Sequence, residues 1–338
     1  MIQYFNYMRK GIRDMNDKNQ TRRIAAPALL FAALMLAALL PLRLWQQMHL
    51  VEQRTGFWAA SDVTVLLLYI GLGVLAAVPA AAALGLRKRT ALDLTRQRRI
   101  VEGVAAALVA AAMLWDAFAA LRFAMRLFSG AGTGDAFLDG MDFQRSSPMQ
   151  YYIRSGAMAC VLESLAGTVG ALFFCRLAAL DFLPGSKIYL SRGAALAPFA
   201  WAVCRILRRF SRTISYLRVS DLFLGLLMLV ALMLFLLAFA QLVGGIHGTN
   251  KACVLFAAGI PAAALALICF IPRFVVYTVQ GFAAPQDAPV EWCDPALALF
   301  ILAFVAGRVR VARKANETAL LVEEEAQDTQ ELELDLDL

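Results

Sequence analysis

Two carboxylates stand inside long apolar runs of this chain: Asp116, preceded by Ala111-Ala-Met-Leu-Trp115, and Glu163, preceded by Ala159-Cys-Val-Leu162. An ionised side chain at the centre of a bilayer costs roughly 2.5–3.5 kcal/mol or more. A carboxylate kept there therefore has work to do: it holds a proton, a cation or a partner of opposite charge. Arg122 and Arg126 follow Asp116 in the same run and, four residues apart, share one helix face. Asp116, Arg122 and Glu163 thus make a candidate intramembrane polar site, a carboxylate and guanidinium set able to bind a proton, a cation or an anionic solute. The plainer alternative is that Glu163 pairs with Arg122, or stays protonated and hydrogen-bonded, only to keep two helices in register.

Other chemistries lack their parts. His49 and His247 are the two histidines, and the chain holds no H-E-x-x-H, no Walker A sequence and no G-x-S-x-G elbow. His49 with Glu52 gives two metal ligands at most, too few for a site. The six cysteines form no C-x-x-C pair and sit in or beside apolar segments, where they read as small apolar side chains. No catalytic, cofactor-binding or metal-binding residue is expected. The net charge of +7 arises from short Lys and Arg clusters between apolar runs, a topology signal and not a nucleic-acid surface.

The elements that must position these residues follow from apolar content. The chain of 338 residues is 61% apolar and 17% charged, against roughly half and a quarter in soluble domains. About 20 apolar residues cross a bilayer as a helix, since lipid leaves an open chain no other way to satisfy its backbone. Segments at about 24–44, 62–86, 101–127, 156–183, 220–245 and 253–275 meet that test, and 294–310 is a short seventh candidate. The fold class is all-α, a polytopic transmembrane bundle of six or seven spans over residues 24–310. Residues 1–23 form a basic N-terminus and 315–338 an acidic tail of the kind usually solvated and disordered. The first span ends in Pro41-Leu-Arg43-Leu-Trp45 without a small-residue cleavage site, and reads as retained.

Basic residues set the expected sidedness. Residues 1–23, 87–99 and 184–218 hold nineteen Lys and Arg, whereas the alternate segments hold Arg54, Arg145, Arg154 and Lys251. The N-terminus is expected in the cytoplasm of a cell whose membrane carries the chain as a multi-pass protein. Within 194–217, Val203, Leu207, Phe210, Ile214 and Leu217 recur at helical spacing opposite Arg205, Arg208, Arg209 and Arg212. This is expected to be an amphipathic interfacial helix, its arginines contacting anionic lipid at about 1 kcal/mol each, or else one that packs on the bundle and sets topology. If 294–310 crosses, Arg308, Arg310, Arg313 and Lys314 lie outside; if it re-enters, the C-terminus stays inside.

The run Leu42-Arg43-Leu-Trp45-Gln46, followed by Thr55-Gly56-Phe57, resembles a pattern of uncharacterised multi-pass membrane proteins of bacteria, and Pro198-x-x-Trp201-x-x-x-Arg205 fits it. The resemblance implies a bacterial inner-membrane setting and no particular activity. Two functions remain in competition: a non-enzymatic membrane component that assembles with itself or with another membrane protein, and a small-solute or ion transporter using Asp116, Glu163 and Arg122.

Overall fold

The computed structural model describes residues 29–51, 62–85, 90–92, 100–129, 149, 152–153, 155–183, 193–211, 219–244, 251–279 and 291–311. The basic N-terminus, the acidic tail, Arg212 and most of the connecting segments lie outside the described residues. The rest is an all-α polytopic bundle. Six helices are long and apolar enough to cross a bilayer: α1 (Leu29–His49), α2 (Val63–Gly85), α3 (Ile100–Phe128), α4 (Ala157–Phe182), α6 (Val219–Val243) and α7 (Lys251–Val279). Two shorter ones complete it: α5 (Ala197–Ser211), entered through a single 3-10 turn at Ala194–Leu196, and α8 (Cys293–Arg308).

Small residues decide how closely the long helices approach. Helices α3 and α4 form the most extensive pairing, lined by Ala106, Ala110, Met113 and Ala117 on one side and Gly167, Gly170 and Ala171 on the other. A methyl at Gly167 would lie 3.3 Å from Ala117 Cβ, tighter than ordinary contact, so the glycine is what lets the two helices approach closely there. Between lipid-embedded helices such van der Waals contact replaces the hydrophobic drive of a soluble core. Towards one end, Phe173 and Phe174 of α4, Phe235 and Phe239 of α6, and Phe300 and Phe304 of α8 pack edge to face, with ring centroids as close as 5.2 Å. Leu66, Ile70, Trp115, Phe118, Leu165 and Leu172 point outward, as side chains bathed in acyl chains do.

The contacts fix each helix's direction. Gly103 lies against Phe182 and Gly170 against Met113, so α3 and α4 are antiparallel. Helix α5 runs back along α4, with Pro198 beside Gly170, Trp201 beside Gly167 and Arg208 bound to Glu163. It therefore returns the chain to the end where α4 began. Helix α6 starts there, Gly225 beside Arg209, and runs with α4 until Phe239 meets Phe173. Helix α7 begins at the opposite end, where the Cys253 thiol donates to the Ala83 carbonyl at 2.9 Å, beside the end of α2.

Helix α8 ends on that same side, because Val309–Val311 pairs antiparallel with Thr90–Leu92, a ribbon of two three-residue strands. This changes the sidedness expected from the sequence. Helix α5 ends on the face where α4 begins and α6 ends on the opposite face, since α5 carries the chain back through the bundle instead of lying flat beside it. The seventh apolar segment ends on the face of the basic 87–99 segment.

Candidate functional site

Helices α5 and α8, of 15 and 16 residues, reach about 22–24 Å, short of a full crossing, and both begin level with the middle of α3 and α4. The Cys293 N–H at the start of α8 bonds to Asp116, twelve residues or about 18 Å short of the end of α3. Pro198, near the start of α5, lies at Gly170, which also touches Met113, one turn from Asp116. From this level α5 runs to one face of the bundle and α8 to the other. Each short helix brings charge with it, Arg205, Arg208 and Arg209 on α5 and Asp294 with the preceding Glu291 at the start of α8.

These charges meet. Arg205 is 1% exposed and grips Asp294 with both terminal nitrogens, Nη1–Oδ1 at 2.6 Å and Nη2–Oδ2 at 3.0 Å, the two-pronged geometry that a planar guanidinium favours. It also pairs with Glu291. Arg208 bridges Glu291 at 2.5 Å and Glu163 at 3.0 Å, and Arg209 reaches Glu291 at 3.2 Å. Asp116 behaves differently. It accepts the backbone N–H groups of Trp292 at 3.3 Å and Cys293 at 2.9 Å, and makes no ion pair among the described residues. Its carboxylate caps α8 from a neighbouring helix, at the end where the aligned peptide dipoles favour negative charge. Trp201 forms the floor, its ring 5.1 Å from the Arg205 guanidinium carbon, a cation–π distance.

Of the three residues expected to form an intramembrane site, Asp116 and Glu163 are joined through Cys293, Asp294, Arg205, Glu291 and Arg208. Arg122 is not part of the chain of contacts. It is exposed on α3, because the buried stripe Met113, Ala117, Ala120, Ala124 faces α4 and position 122 lies off it. Glu163 finds its guanidinium on α5 instead. Arg205, Arg208 and Arg209, expected at a lipid surface, turn inward: Leu207 and Phe210 occupy the exposed face of α5, while Trp201, Ala202 and Arg205 are buried. The amphipathic period is there, but the apolar face looks outward, the polarity required of a helix surrounded by lipid instead of water.

Glu291 and Asp294 are not among the residues expected from the sequence to form the site. Their signal was the spacing Glu291-x-x-Asp294 at a helix start, complementary to Arg205-x-x-Arg208-Arg209. Among the described residues no group of three or more His, Cys, Asp and Glu is arranged to hold a metal ion. Compared with protein-family models, with curated proteins and with solved structures, the chain shows no match.

Proposed function

We propose that this chain is a multi-pass protein of the cell membrane that moves a small solute or ion through the junction where the second half of α5 meets the start of α8. The observation that carries this reading is the set of three guanidiniums and four carboxylates packed at that junction. Ionisable groups at membrane depth are costly and mark solute and proton pathways. A helix that starts inside the bundle with its N-terminal dipole at the charged groups, as α8 does, is how several transporter folds build binding sites.

Orientation follows from charge. The helix ends on the face of the Thr90–Leu92 strand adjoin residues 1–28, 86–99, 183–192, 245–250 with Lys251, and 308–314, which hold nineteen Lys and Arg. The opposite ends adjoin Arg54, Arg145, Arg154, Arg212 and Arg218. The basic face, with the N-terminus, is assigned to the cytoplasm.

Untargeted metabolite profiling tests the transport reading. Cells lacking the protein are compared with the same cells making wild type, Asp116→Asn or Glu163→Gln at equal levels. A solute that changes on deletion and is restored by wild type alone is the expected result. If both variants restore it, or if no solute responds, the cluster is a helix clamp and the protein is an assembly component of the membrane.

A further inference from the structure

Glu291 is surplus to the pairing of the helices. Arg205 has Asp294 on α8, and Arg208 has Glu163 on α4. Glu291 adds a carboxylate that Arg205, Arg208 and Arg209 all share, and it precedes the first turn of α8 instead of lying within it. For Arg209 it is the carboxylate partner among the described residues. Gly225 opposite leaves the space that the Arg209 guanidinium fills, since a Cβ there would overlap it. Three guanidiniums converging on one carboxylate form the arrangement proteins use to bind carboxylates and phosphates from outside.

We infer that Arg205, Arg208 and Arg209 form an oxyanion site that Glu291 occupies from within, and that the ligand is a carboxylate- or phosphate-bearing anion which displaces it. A singly charged oxyanion replaces Glu291 without changing the charge of the site, and a dianion adds one negative charge to it. When Glu291 leaves, Arg205 and Arg208 keep their helix-borne partners, and Arg209 is the cation released to the incoming anion. Because Glu291 lies outside the helix, it can withdraw without unwinding α8. Transport of such an anion rests on the reading above; binding does not.

The test is titration of the full-length protein in uncharged detergent with inorganic phosphate and with succinate, against chloride at equal ionic strength, read by thermal unfolding. Glu291→Gln is expected to bind at least one probe about tenfold more tightly than wild type, since the internal competitor is gone. Adding Arg209→Gln to that variant is expected to remove the gain. Should Glu291→Gln fail to accumulate, Glu291→Asp keeps the charge with a shorter reach, and a smaller gain in the same direction is expected.

Repeating the titration in nanodiscs of phosphatidylcholine, with and without phosphatidylglycerol, separates the two sources of such an anion. A probe-dependent gain in both identifies a free anion. A gain produced by phosphatidylglycerol alone identifies a lipid headgroup as the oxyanion. No gain with any probe or lipid, or one indifferent to Arg209→Gln, overturns the site. A neutral or cationic solute found by profiling would leave transport standing and remove an anion as its cargo.

Discussion

Helices α3 and α5 both carry arginines along otherwise apolar sequence, and the structure treats the two sets in opposite ways. Arg122 and Arg126 of α3 are exposed near its end, where a long side chain reaches polar headgroups at little cost. Arg205, Arg208 and Arg209 of α5 turn into the bundle and are neutralised by Glu163 of α4, Asp294 of α8 and Glu291 just before α8. The side chain is the same; what differs is whether carboxylates wait on the facing helices. Snorkelling needs only proximity to an interface, whereas an inward guanidinium needs a partner, because an unpaired buried charge costs far more than the pair gains.

That contrast is most directly broken by removing the deepest pair. Arg205→Met leaves Asp294 and Glu291 facing each other without their shared cation, and an expected loss of about 3–5 kcal/mol should appear as lost folded yield or a collapsed unfolding midpoint in detergent. Retention of wild-type stability would mean that the cluster is solvated and that the two arginine sets are alike. Next in size is the link between α4 and α5. A double-mutant cycle on Arg208→Gln and Glu163→Gln, read by unfolding free energy, should show a coupling of about 1–3 kcal/mol, and additive effects would dissolve the pair.

Asp116 sharpens the comparison from the carboxylate side, since its partners are neutral backbone groups. Asp116→Ala should cost about 1 kcal/mol, as loss of a helix cap does, while Asp116→Asn should be close to wild type in stability, because an amide oxygen still accepts. A stable Asp116→Asn that no longer restores the responding solute would separate capping from the need for charge. The smallest effect is expected at the exposed set, where Arg122→Ala should change unfolding free energy by no more than about 0.5 kcal/mol. A larger loss would show that α3's arginines also hold structure.

Much of the bundle was legible in the chain itself. Apolar length specified α1 to α4, α6 and α7, because crossing lipid imposes a minimum run of residues. The penalty on buried charge singled out Asp116 and Glu163 without any knowledge of their neighbours. The helix α5 shows where such reasoning stops. Its period separated Leu207 and Phe210 from Arg205 and Arg208, but a period marks two faces without saying which one meets lipid. The same ambiguity turned charge counting astray between 184 and 218, where three of the seven basic residues prove to be internal ion pairs and not markers of a membrane face.

The sequence by itself determined which six segments are long and apolar enough to cross a bilayer and which two carboxylates must find partners there. Both follow from local costs, the transfer of apolar length and of single charges between water and lipid. Only the tertiary structure decided that Glu163 pairs with Arg208 and not Arg122, that Asp116 caps α8, and that Glu291 sits among three arginines. Those pairings join residues 45 to 177 positions apart, and they depend on α8 starting inside the bundle beside the second half of α5. No local cost encodes that meeting, which arises from the packing of Gly167 and Gly170 against their neighbours and from the mutual neutralisation of charges carried by separate helices.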